Sequence, residues 1–66
     1  MICTVNGESK DLPDNLSVEA LIELLGMSEA ICAAEVDKKL VPKRERALCI
    51  LQDGQQIEIV TLIGGG

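Results

Sequence analysis

At 66 residues the chain has room for one small domain, of a size that buries only about 60% of its unfolded surface. Hydrophobic residues make up 47% and charged residues 26%, the balance of a globular chain and not of a disordered one. It contains no His, Phe, Tyr or Trp, and its net charge is −5. The missing imidazole removes the commonest general base near neutral pH, which argues against a self-contained hydrolase. The missing aromatics and the negative charge argue against nucleic acid as a partner. No apolar run reaches the length that spans a membrane.

The opening "MICTV" alternates, with Met1, Cys3 and Val5 on one side and Ile2 and Thr4 on the other. Asn6-Gly7 follows, a strong hairpin signal because both turn positions tolerate positive φ. A short second strand, "ESKDL", is then ended by Pro13 and Asp14-Asn15. Ser17 is placed as the N-cap of a helix, with Leu16 before it to staple against Leu21. Val18, Leu21, Ile22 and Leu25 recur on one helical face, and Gly26 supplies a left-handed C-cap. Glu19 and Glu23 fall on the opposite face, where a solvated pair is a simpler reading than acid–base chemistry.

"AICAAEVD" is expected as a third strand, with "KKLV" pairing back or continuing it until Pro42. "PKRERA" is expected as a charged loop with one turn of helix, "LCIL" as a short strand, and "QDGQQ" as a turn around Asp53-Gly54. "IEIVTLI" closes the pattern as a last strand, Ile57 and Ile59 facing one way and Glu58, Val60 and Leu62 the other. The fold class this order implies is α+β: a mixed sheet of four to five strands with one main helix packed on one face. The other face is left solvated or reserved for partners.

Cys3, Cys32 and Cys49 have no CxxC spacing and no His to complete a zinc site, so no metal centre is expected. They are expected as small core residues, a redox-active thiol being the alternative. An odd count without a signal peptide points to a reducing, cytoplasmic setting. Five of the six basic residues, Lys38, Lys39, Lys43, Arg44 and Arg46, lie within nine positions. That segment is either a solvated loop or a basic surface that steers the molecule onto an acidic groove.

The sequence ends "TLIGGG". Glycine has no Cβ to block entry to a narrow site, so Gly64, Gly65 and Gly66 are expected as a flexible arm on a domain covering residues 1–63. A passive tail is the alternative. Together the hairpin, the single helix, "QDGQQIEIV" and the terminal glycines resemble the β-grasp (ubiquitin-like) fold. More narrowly, "VP" before a charged loop, "QDG" before "IEIV" and the final "GGG" resemble the ThiS-type sulfur carriers of thiamine biosynthesis. The resemblance runs the length of the chain and is most specific in its last fifteen or so residues.

That resemblance implies a carrier and not an enzyme, with no catalytic residue and no bound cofactor of its own. A ThiF-like adenylyltransferase would use ATP to adenylate the Gly66 carboxylate, with Gly64 and Gly65 threading its active site. Sulfur from a persulfide protein would then give a thiocarboxylate, and a ThiG-like thiazole synthase would take that sulfur. Val60 and Leu62, with Lys43, Arg44 and Arg46, are the expected partner-binding residues. The small subunit of molybdopterin synthase or another β-grasp carrier or modifier fits the same tail. An interaction module with an idle tail is a reading of a different class.

Overall fold

The computed structural model describes residues 1–28 and 31–61. Five strands form one mixed sheet: β1 (Ile2–Val5), β2 (Glu8–Asp11), β3 (Cys32–Val36), β4 (Lys39–Val41) and β5 (Gln56–Thr61), in the order β2-β1-β5-β3-β4. β5 runs parallel to β1 and antiparallel to β3, so the last strand in sequence is central in the sheet. Asn6 and Gly7 take φ of 51° and 84°, the type I′ geometry that matches the twist of a two-residue hairpin, and β1 pairs with β2 from Val5↔Glu8 to Ile2↔Asp11.

The single helix, α1 (Val18–Leu24), begins as its sequence indicates: the Ser17 hydroxyl accepts from the Ala20 N–H at 3.0 Å. It ends in a Schellman motif. Gly26, at φ 74°, donates to the Glu23 carbonyl and Met27 donates to the Ile22 carbonyl, satisfying carbonyls that the helix end would otherwise leave open. Val18, Leu21 and Ile22 are fully buried under the sheet. From the sheet Cys3, Val5, Ala34, Ile57 and Ile59 meet them, and Leu12, Leu16 and Leu51 close the edges. With no aromatic ring to fill space, the core is built from aliphatic side chains and two buried thiols. Cys49 is half-buried against its rim.

One open reading is decided, one expectation holds and one changes. "KKLV" does pair back, through a two-residue turn at Asp37 and Lys38, which take φ of 51° and 69°. One turn of 3-10 helix, Lys43–Glu45, follows Pro42. "LCIL" is not a strand of the sheet but an extended segment laid against the start of α1. Val18 donates to the Cys49 carbonyl, Leu51 donates to the Leu16 carbonyl, and Ser17 and Ile50 form an isolated antiparallel bridge.

Candidate functional site

The site is the end of β5, the strand that leads into Gly64–66, and its position is fixed by two side chains in turns. At the start of β5, Asp37 accepts from the Gln56 N–H at 3.0 Å and from the Gln55 amide at 3.1 Å, while its own N–H donates to the Gln56 carbonyl at 2.8 Å. Halfway along, Asn6 accepts from the Ile59 N–H at 2.7 Å and donates to the Ile59 carbonyl at 3.1 Å. Its backbone N–H also donates to the Ile57 carbonyl. β1 has already turned away at this point, so the Asn6 carboxamide stands in for the next peptide of a parallel neighbour. The sequence marks Asn6 as a turn residue; it does not mark this second role.

Ile57 and Ile59 face the core and Val60 is 52% exposed, as the alternation requires. The register sets Ala33 opposite Val60 and Glu35 opposite Glu58 on the outer face, with Leu40 opposite Glu35 on the far side. Val60 therefore belongs to a mixed apolar and acidic surface. Leu62, Gly64, Gly65 and Gly66 lie outside the described residues.

β4 and β5 are both antiparallel to β3 and so run the same way. The segment leaving β4 and the chain leaving β5 consequently emerge at one end of the sheet. Lys43 and Arg44, both exposed, belong to that end. Arg44 stands 3.8 Å from its neighbour Glu45, a surface contact of little energetic weight.

Arg46 does not join them. It is only 4% exposed, and its Nη2 donates to the Cys32 carbonyl at 2.7 Å. Its backbone carbonyl accepts from the Glu19 N–H at the first turn of α1. Arg46 thus ties the first residue of β3 to the helix N-terminus, a structural task in place of the surface role its charged neighbours suggested.

A cavity of about 360 Å³ lined by Met1, Asp14, Asn15, Leu51, Gln52 and Asp53 lies at the opposite end, beside the start of β1. Three of the charged groups that line it already have hydrogen-bond partners. The Met1 ammonium donates to the Leu12 carbonyl at 2.8 Å and to Asp14 at 3.2 Å, and Asp53 accepts from the Ile2 N–H at 2.6 Å. The hydrogen bond to Asp14 raises the ammonium pKa above its ordinary value of 8.0, with the Asp14, Asp11 and Asp53 charges adding to it against partial desolvation. Among the described residues no His, Cys, Asp or Glu cluster could hold a metal ion, and no helix is long and apolar enough to cross a membrane.

A five-stranded mixed sheet of this order, with one helix packed across it, makes the protein a member of the β-grasp class, with the arm-bearing strand at the sheet's centre. Within that class, residues 3–66 match the ThiS family model, and the chain belongs to the ThiS family of sulfur carriers. The crystal structure of the thiamine biosynthesis protein (ThiS) from Geobacter metallireducens superposes with a TM-score of 0.84 at 25% identity, covering 100% of both chains. The chain is 31% identical over 61 residues to the sulfur carrier protein ThiS of Escherichia coli strain K12, covering 92% of each. It is 38% identical over all 66 residues to a thiazole synthase of Paramagnetospirillum magneticum, of which it spans 20%. In that relative the matching region is one fifth of a longer protein.

Proposed function

We propose that this chain carries sulfur as a thiocarboxylate on Gly66 and delivers it to a thiazole synthase during thiamine biosynthesis. The observation that supports this best is the placement of the last strand. β5 is hydrogen-bonded on both sides and clamped by Asn6 and Asp37, so a rigid platform precedes three residues without Cβ atoms that suit a narrow, water-excluding site.

The chemistry balances with groups that partner proteins hold. The Gly66 carboxylate attacks the α-phosphorus of ATP on a ThiF-like adenylyltransferase, releasing pyrophosphate and forming an acyl-adenylate. The terminal sulfur of a protein persulfide displaces AMP to give an acyl disulfide. A second thiol cleaves its S–S bond, so the donor leaves as a disulfide and the thiocarboxylate remains. The thiazole synthase accepts that sulfur. The chain contributes the carboxylate, the arm and a docking surface, and it acts as co-substrate to enzymes that bind it.

Mass spectrometry after incubation with ATP, a persulfide source and a ThiF-like adenylyltransferase tests this. Replacing one carboxylate oxygen by sulfur shifts the mass nearly as one oxidation does, and Met and Cys oxidise, so the shift must be read on fragments beyond Gln52, which contain neither residue. An ATP-dependent shift confined to Gly66 is expected. Its absence would leave an interaction module whose arm does no chemistry.

A further inference from the structure

Glu35 on β3 and Glu58 on β5 are directly opposed in the antiparallel register, both exposed on the outer face. Like charges so placed destabilise a sheet. The ion pairs of the described residues lie elsewhere, at Met1, between Lys10 and Glu8, and between Arg44 and Glu45. Nor does the chain's own basic segment reach the pair. Lys39 is in register with Val36 on the core side of the sheet, and the outer position beside Glu35 is taken by Leu40, 64% exposed.

We propose that this face docks a thiazole synthase through a guanidinium or ammonium group of the synthase seated between Glu35 and Glu58, with apolar side chains of the synthase covering Val60, Ala33 and Leu40. The inference rests on the reading that the chain delivers sulfur to such an enzyme. Two adjacent carboxylates beside apolar neighbours suit an arginine, whose planar, weakly hydrated fork bonds carboxylates bidentately and packs its stem on apolar surface. The occupant must also receive what β5 leads to, because among the outer-face pairs Ala33–Val60 is the one nearest the strand's end. A second copy of this chain is a poor occupant: a two-fold interface on this face would set carboxylates against carboxylates. The opposed pair is then a stability cost that complex formation offsets.

Calorimetric titration of the same organism's thiazole synthase with the complete chain and with its Glu35→Gln and Glu58→Gln variants, at about 0.05 and 0.5 M salt, decides it. Each variant is expected to bind about tenfold more weakly at low salt and to lose most of the salt dependence. Each should unfold at the same urea concentration as the parent or a higher one. Unchanged affinity in both variants overturns the proposal, as does a weakening that follows a lowered unfolding midpoint. A parent chain that fails to bind the synthase also overturns it. Formation of the thiocarboxylate, read separately by mass, would still show whether the chain is a sulfur carrier.

Discussion

Asn6 and Ile59 exchange two hydrogen bonds, 2.7 Å from the Ile59 N–H to the Asn6 carboxamide oxygen and 3.1 Å from the Asn6 amide to the Ile59 carbonyl, across 53 residues of sequence. One side chain closes the first hairpin at positive φ and secures the strand that leads to the arm. Asn6→Gly keeps the backbone geometry and removes both bonds, so it is expected to lower stability by about 2 kcal/mol. Asn6→Ala removes the same two bonds but keeps a Cβ at φ 51° without the local hydrogen bonding that lets Asn adopt that conformation, and should cost about 1 kcal/mol more than Asn6→Gly. Urea unfolding of both variants checks this. Equal losses would mean that the turn geometry contributes nothing separate.

Arg46 and Arg44 are two positions apart and are expected to behave oppositely. Arg46→Ala empties a buried site and leaves the Cys32 carbonyl without the Nη2 donor at 2.7 Å, a loss of roughly 3 kcal/mol when packing is included. Arg44→Ala removes an exposed charge and should stay within about 0.5 kcal/mol of the parent. Thermal or urea unfolding distinguishes them directly. Similar small effects would contradict the structural role assigned to Arg46.

What the sequence made legible was whatever local chemistry dictates. Asn6-Gly7, the Ser17 cap, the Val18/Leu21/Ile22 stripe and Gly26 each act within a turn or two, and each appears where its own chemistry places it. The β3–β4 turn was open between two readings because Asp37 and Lys38 adopt positive φ without a glycine; Asp37 is held there by Gln55 and Gln56, which are distant in sequence. "LCIL" looked like a strand because a short apolar run has no decisive period. Leu51 is in fact 2% exposed while Leu48 is 83% exposed. Arg46 was hidden in a run of charges, since burial of one guanidinium among them depends on where β3 begins. For the site, alternation along "IEIV" assigned Val60 to the outer face, whereas the opposition of Glu35 and Glu58 comes from strand register.

The Met1 ammonium gives the chain that begins at this residue a pH dependence of known sign. Hydrogen bonding to Asp14 raises its pKa in the folded state above 8.0, so the charged form is favoured by folding. The associated stability is fully present below the unfolded value near 8 and is lost as pH rises through the raised folded value. Unfolding midpoints should therefore decline above about pH 8, and Asp14→Asn should make that decline shallower. An identical slope in parent and variant would show that the contact contributes no linked stability.

Val60 separates docking from folding. It is half exposed on the face opposite the core, so no cavity forms when it is changed, and its main cost is lost strand preference. Val60→Asp is expected to reduce stability by about 1 kcal/mol or less, yet to slow ATP-dependent thiocarboxylate formation or sulfur delivery at least about tenfold, since a charge buried at an apolar contact is left unpaired. Val60→Thr keeps the branched Cβ and should fall between the parent and Val60→Asp in both rates. Measuring the two half-reactions separately identifies which enzyme uses this face. If only adenylation slows, the face serves the activating enzyme; if only delivery slows, it serves the synthase, as the uncompensated pair at Glu35 and Glu58 implies. Unchanged rates in both reactions, with folding intact, would leave the exposed valine as ordinary surface.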